Sequence, residues 1–481
     1  TRYVKHESLE KLNFEHVRDR LASCCACSLG KHLAKTILPS ANEATVRQWL
    51  DLGREFHEAA DEIGPPPMGG VFDVRTEIHA TAQPTPLEGD ALARVSDTLQ
   101  ATSELCLWFH RLDAKFPRLK SLGERITDYS ALAREIREQI DARGQVLDHA
   151  SSKLRSIRRT IEEAHDRINV TFDRILRQTT TVRMLQYAGT TFHNDRVVLP
   201  LRSEHRGRIA GIIHRSSDSG ATLFVEPTEV VEINNTIISL KEEEKKEITR
   251  ILRELSRLVH REATGILTTL QAIGLLDLNR AKWVYARHHH CTYPVVDANG
   301  QLDLIAARHP VLLDLFETHP DGHPHKEVMP IDIRIGIDFD AMVITGPNTG
   351  GKTVAIKTLG LLVLMAQSGL PIPVAEGSRL PVYRDVFVDI GDEQNLQQSL
   401  STFSSHMSNQ LTILRKSCMI GFPPIFLKIS GKRPSLNDFL KPFAEFQTVV
   451  GPFFRSIRLS LLCKKFCTLP TSCAFIRSVL F

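Results

Sequence analysis

The sequence predicts an α+β multidomain protein, and three patterns along the chain lead there. Apolar residues recur at helical spacing through the first 60 residues and again from 88 to 143. A seven-residue repeat then runs from Leu154 to Ile175 and is answered, after a β-like stretch, by a second long helical pattern from Val230 to Leu258. From Tyr293 onward short strands alternate with turns, and a strand, a Gly-rich loop and a helix follow one another across 341–367. Together they predict a helical block, a protruding two-helix arm and an α/β domain, in that order.

Taken in order, Leu9, Leu12, Val17 and Leu21 stand three to five residues apart, which sets one apolar face on a helix. The loop Gly64-Pro65-Pro66-Pro67-Met68-Gly69-Gly70 ends that block, because proline removes backbone donors and glycine frees the chain to turn. Leu154, Ile157, Ile161, Ala164, Ile168, Thr171 and Ile175 alternate three and four apart with Arg, Lys and Glu between them, the seam of a coiled coil. Arg196–Pro200 and Thr222–Val225 read as strands inside a stretch containing Gly207, Gly211 and Gly220. In the returning helix, Val230, Ile233, Ile237 and Leu240, then Ile248, Ile251, Leu255 and Leu258, flank a charged run at 241–247 that should face solvent. Gln301–Ile305, Ile331–Ile337 and Ala341–Thr345 read as strands, the last running into the helix Thr353–Gln367.

Composition narrows the class. The chain has 481 residues, 42% hydrophobic and 24% charged, as expected for a globular protein rather than a disordered or fibrous one. The longest uncharged stretch, Thr358 to Ala375, contains Gln367, Ser368, Gly369, Pro371 and Pro373, so it predicts no membrane span. The start, Thr1 to Glu7, has neither an initiating Met nor an apolar signal core, and predicts a cytoplasmic protein whose first residues precede Thr1. A formal charge of +4 does not argue for a nucleic-acid partner, so such a partner must rest on local patches. Nine unpaired-looking cysteines suit a reducing compartment. Cys24 and Cys27 have no second pair at zinc spacing and read as part of a packed helix, and His288, His289 and His290 as solvated histidines.

Residues 346–353, Gly346-Pro347-Asn348-Thr349-Gly350-Gly351-Lys352-Thr353, match GxxxxGK[ST] in full between a strand pattern and a helix pattern. The glycines let backbone N–H groups turn toward an anion, and the helix N-terminus adds partial positive charge. Lys352 is expected to reach the β and γ phosphates of ATP, and the Thr353 hydroxyl to ligate Mg²⁺. Hydrolysis also needs an acidic residue at the end of an apolar strand. The candidate, Val386-Phe387-Val388-Asp389-Ile390, with Asp392 and Glu393 behind it, is short and reads equally as a polar loop.

At these residues the chain resembles the MutS family of DNA-repair ATPases, and more closely its bacterial type-two, recombination-suppressing branch. The resemblance rests on Ile344–Thr353, Lys357-Thr358-Leu359-Gly360, Leu364–Leu370, and Asp389–Gln394 leading to Ser401–Met407. It extends upstream through Ala150–Arg155, Asn194-Asp195-Arg196, Ser219–Pro227 and Ala307-Arg308-His309-Pro310, covering roughly residues 5 to 417. It implies helical lever and core at 1–143, a coiled-coil clamp arm with a β element at 144–262, and a P-loop (ABC-like) ATPase from 263. It also implies a homodimer in which Ser401, Thr402 and Phe403 reach the γ-phosphate held by the partner subunit. The implied substrate is branched or mismatched DNA, in repair and in suppression of homologous recombination, with ATPase and endonuclease activity. The arm arginines Arg155, Arg158, Arg159, Arg206 and Arg208 are candidate phosphate contacts. Some relatives also suggest a stalled-ribosome role with ribosomal RNA as partner. A non-hydrolysing or inert nucleotide-binding fragment, and a P-loop enzyme acting on a small molecule, are the rival readings.

The pattern departs from the family after Ser417. The expected acidic strand and the C-terminal nuclease domain do not appear, so the ATPase reads as incomplete over 263–417. Residues 418–481 hold ten of the 22 phenylalanines, four of the nine cysteines, two alanines, and nine basic residues against Asp438 and Glu445. No helical or strand period is evident there. So abrupt a change predicts a truncated family sequence followed by an out-of-frame tail.

Overall fold

The computed structural model describes residues 6–194, 196–317, 327–339, 342, 344, 351–389 and 425–428. In chain order the first helices are α1 (His6–Lys11), α2 (Phe14–Cys24), α3 (Ser28–Thr36) and α4 (Glu43–Ile63). Next come α5 (Arg75–Ala80), α6 (Gly89–His110), α7 (Pro117–Gly123) and α8 (Ser130–Arg137). Residues 152–261 hold α9 (Ser152–Leu176), α10 (Thr179–Met184), β1 (Thr191–His193), β2 (Arg196–Arg202), β3 (Gly211–Ser216), β4 (Thr222–Pro227) and α11 (Thr228–Arg261). Then follow α12 (Ala263–His289), β5 (Val295–Val296), β6 (Leu302–Ala307), α13 (Pro310–Glu317) and β7 (Ile331–Ile335). The remainder is α14 (Lys352–Gln367), β8 (Arg379–Leu380), β9 (Val386–Asp389) and β10 (Ile425–Lys428).

These elements form two compact units. One comprises Thr1–Met68, Leu107–Arg125 and Gln271–Phe481, the other Gly69–Cys106 and Ile126–Leu270.

In the second unit α9 and α11 pack along each other. Leu154, Ile157, Ala164, Ile168, Phe172 and Ile175 are the buried residues of α9's apolar stripe. Phe172 takes the core position read from the sequence as Thr171, whose hydroxyl instead donates to the Arg167 carbonyl. Ser151 caps α9, accepting from the Leu154 amide and donating to the Glu247 carboxylate on α11. Glu247 is therefore buried, although the charged run that contains it was expected to face solvent. Burial of a carboxylate is tolerable here because Ser151, Arg250 and Lys153 surround it.

Beyond the helix pair lies an antiparallel sheet in the order β1-β2-β4-β3. Its inner residues Val197, Leu199, Leu201, Leu223 and Val225 share one core with Ala164, Ile168 and Phe172 of α9 and Val230 and Ile237 of α11. The Glu226 side chain has no exposed surface, and accepts from Arg196 at 2.7 Å, Asn234 at 2.7 Å and His214 at 2.6 Å. One carboxylate thus ties β2, β3, β4 and α11 together. Strand β3 escaped sequence reading because its residues are exposed or half-buried and its first is glycine. A Cβ at Gly211 would lie 2.1 Å from the Glu226 carbonyl oxygen, so only glycine lets the strands close there.

In the first unit a sheet in the order β5-β8-β6-β7 and a parallel pair β9-β10 pack with the helices. The core runs from Leu9, Leu12, Phe14, Val17 and Leu21 through Leu302 and Leu304 to Leu361–Ala366 and Val386. From Thr358 to Gln367 helix α14 is buried on all sides, which accounts for the long uncharged stretch without a membrane. Among the described residues no helix is long and apolar enough to cross one. Two expectations need correcting. Val386–Asp389 is a strand, not a polar loop, and the stretch beyond 417 that lacked a visible period contributes strand β10.

Candidate nucleotide-binding site

Gly351 opens α14 at φ 78°, ψ 8°, a left-handed conformation that glycine adopts without the steric penalty of a Cβ. Lys352 and Thr353 are the first two residues of the helix, as the motif requires. The first helical bond is donated by Ala355 to the Gly351 carbonyl at 2.9 Å. The preceding first-turn amides, those of Thr353 and Val354 among them, therefore have no carbonyl acceptor within the helix. No acidic residue stands in the first turn, so the helix itself supplies no counter-charge to the positive end of its dipole. The donor set suits a phosphate chain, and the Thr353 hydroxyl fits a metal carried in by that chain, because Mg²⁺ keeps most of its ligands as water and phosphate oxygen. Gly346, Pro347, Asn348, Thr349 and Gly350 lie outside the described residues, as do Ser401, Thr402 and Phe403. The strand expected at 341–345 also lies largely outside them.

The far end of α14 is fixed by side chains. Gln367 donates to the carbonyls of Ser40 at 2.8 Å and Tyr383 at 2.9 Å, and accepts from the Tyr383 amide at 3.0 Å. Gly369 ends the helix at φ +70°, where a Cβ would come 2.4 Å from the Cβ of Trp49 in α4. The Leu364–Leu370 motif is thus a docking joint between α14 and the N-terminal helices. Sequence reading caught the motif without its structural reason.

A second polar cluster joins α2, α12 and α13. Asp314 lies 2.8 Å from His16 Nε2, 2.9 Å from Arg20 Nε and 3.1 Å from His289 Nε2. Burial pushes its carboxyl up, but His289, His16 and Arg20 outweigh that and hold it below the usual aspartate value. His289 is buried, which corrects the expectation of a solvated histidine there, whereas His288 and His290 are exposed as expected. Nearby His309, from the Ala307–Pro310 motif, is pushed down to about 4, first by burial and then by Lys357 of α14 and by His16. It is neutral at neutral pH. Cys24 and Cys27 are not turns of one helix: Cys24 ends α2 and Cys27 caps α3. The Cys27 amide and thiol both donate to the fully buried Asp277. Among the described residues no group of three or more His, Cys, Asp or Glu is placed to hold a metal.

Of the candidate phosphate-contact arginines, Arg158 is committed to Glu244 of α11, to Asp148 and to the Val146 carbonyl, bracing the helix pair, and Arg159 pairs with Glu163 within α9. Arg206 and Arg208 remain exposed with no side-chain partner among the described residues.

A family model described as MutS domain V matches residues 342–420, the stretch that contains α14. The chain is 40% identical over 410 residues to "Endonuclease MutS2" of Geobacillus sp. (strain WCH70), covering 85% of this chain and 51% of that protein. It is 40% identical over 414 residues to the protein of that name from Pelotomaculum thermopropionicum, with the same coverages of 85% and 51%. Against "Putative endonuclease MutS2" of Bacillus subtilis (strain 168) it is 39% identical over 419 residues, 86% of this chain and 52% of that one. The chain spans about half the length of the curated relatives it matches.

Proposed function

Because this chain belongs to the MutS family, in its type-two branch, we propose that it is an ATP-binding clamp on branched or mismatched DNA, acting as a homodimer in repair and in suppression of homologous recombination. The observation that carries the reading is the opening of α14: a left-handed Gly351 followed at once by Lys352 and Thr353, on a helix locked into the N-terminal helices. In this reading 1–143 are lever and core, 144–262 the coiled-coil arm, and 263–417 the ATPase, with 418–481 outside the family pattern. ATP enters with Mg²⁺, which supplies charge neutralisation between the β and γ phosphates. Lys352 and the first-turn amides hold the phosphates. Ser401–Phe403 would complete the site from the partner copy. Nucleotide binding then shifts the arms between open and closed states, a coupling that must be reciprocal.

A second reading, binding without hydrolysis, is supported by β10. It is the described strand that follows the signature segment, runs parallel to β9, and ends in Lys428 where catalysis calls for an acidic residue.

The test is reciprocity. Saturating ATP and Mg²⁺ should change the affinity of the purified chain for forked DNA by about 5- to 150-fold, and saturating DNA should change ATP affinity by the same factor. Two affinities that ignore each other would sink the clamp.

A further inference from the structure

Resting on the proposed DNA-binding arm, we infer that Phe192 and Tyr187, on the β1 side of the arm sheet, stack on unpaired nucleobases and make the arm selective for DNA with single-stranded character. Phe192 is 71% exposed and Tyr187 51% exposed, and neither belongs to the core that holds the arm together. A large ring left in water is costly and contributes nothing to this fold. Phe192 lies on β1 and Tyr187 in the bend that precedes it, and both stretches border β2. Phe192 stands opposite Val197 of β2, and the amide of Gln186, next to Tyr187, donates to the Pro200 carbonyl of the same strand at 2.8 Å.

The surrounding charge fits the same ligand. Residues 177–218 contain seven arginines and no lysine, against Asp195, Glu204 and Asp218. Arg177, Arg183, Arg206 and Arg208 are exposed, and their side chains have no partner among the described residues. A planar guanidinium both neutralises phosphate and stacks on a base, which an ammonium does not do. Aromatic faces amid free arginines form the surface that tracks unpaired strands, since every base has a π-face to offer. The support beneath is rigid: β2 is buried from Val197 to Leu201, and the Glu226 network locks it to β4 and α11. A ring held still loses little freedom on stacking.

The experiment measures fluorescence anisotropy of the full chain with a forked DNA carrying two unpaired arms, with a length-matched perfect duplex, and with an RNA fork of the same sequence. The parent should prefer the DNA fork. Phe192→Ala and Tyr187→Ala should each weaken fork binding about tenfold while changing duplex binding less than twofold, and Phe192→Trp should retain the preference. Equal losses on fork and duplex, or no loss on the fork, overturn the inference and leave the proposed function standing. Failure of the parent to bind any DNA overturns the proposed function, and this inference with it. Tighter binding of the RNA fork, or loss of self-association in place of DNA affinity, reassigns the rings and also overturns it.

Discussion

The carboxamide of Gln367 closes a ring with the backbone of Tyr383, donating to its carbonyl at 2.9 Å and accepting from its amide at 3.0 Å. The same nitrogen donates to Ser40, so one side chain at the end of the nucleotide-binding helix holds both a later strand connection and the loop before α4. Gln367→Leu would leave the Tyr383 amide and two carbonyls without partners inside the core. A destabilisation of about 3 kcal/mol or more is expected, given about 1–3 kcal/mol for each of the three stranded buried groups. It would be read as a lower urea midpoint with unchanged slope. A shift under 1 kcal/mol would mean that the joint is dispensable.

Lys352→Ala removes the point charge at the first position of α14. Calorimetry on the folded variant should show ATP binding weakened about 10- to 100-fold, since a charge-assisted hydrogen bond contributes about 1.5–3 kcal/mol. Unchanged affinity would remove the helix opening from the argument.

Glu226 supplies a pH signature for the arm. Burial raises its carboxyl, while the bonds from Asn234, His214 and Arg196 lower it further, so the folded value lies below the ordinary 4.5. A carboxyl lowered on folding stabilises fully above its unfolded value, and that stabilisation is lost as pH falls through the folded value. Urea midpoints of the parent should therefore be flat near pH 6 and drop below pH 4.5. Glu226→Gln should lose about 2–4 kcal/mol at pH 7, having stripped a buried charge from its partners, and should show a shallower drop below pH 4.5. Parallel profiles for the two proteins would exclude Glu226 as the titrating group.

Lys282 on α12 gives the opposite sign. Burial alone pushes its ammonium down to about 8 from 10.5, and no ion pair offsets this among the described residues. The penalty is complete below about pH 8 and fades as pH rises toward 10.5. Lys282→Met should therefore stabilise the protein by about 1–3 kcal/mol at pH 7, with the gain shrinking at pH 10. A destabilised variant would reveal a partner for the ammonium.

The reading frame after Ser417 can be checked directly. Translating the coding sequence from that codon in the other two frames should yield an apolar strand ending in Asp-Glu. If neither frame does, the phenylalanine-rich segment is native, and Ile425–Lys428 is a genuine replacement for the acidic strand.

What the sequence made legible was local. Helices α4, α9 and α11 are visible because their apolar residues keep a 3.6-residue beat, and α14 because the motif at its opening fixes Gly351, Lys352 and Thr353 by type. What stayed hidden depends on partners far away in the chain. Strand β3 has no buried stripe of its own, His289 is buried only because Asp314 waits 25 residues on, and Glu247 only because Ser151 lies 96 residues earlier. Asp389 illustrates a third case: four residues could not be told from a polar loop, because the strand they pair with lies beyond residue 417, where no period is visible.

The core that α14 shares with the first helices has a consequence for synthesis. Leu9, Leu12, Phe14, Val17 and Leu21 leave the ribosome well before the surfaces that cover them, since Leu302, Leu361–Ala366 and Val386 follow about 280 to 370 residues later. At about 5–20 residues per second, that apolar face waits on the order of 15 to 75 seconds for its neighbours. That early apolar face is therefore exposed for aggregation during synthesis, whereas the cluster that α9 and α11 share with the β1-β2-β4-β3 sheet comes entirely from residues 164–237 and can close before residue 302 is made.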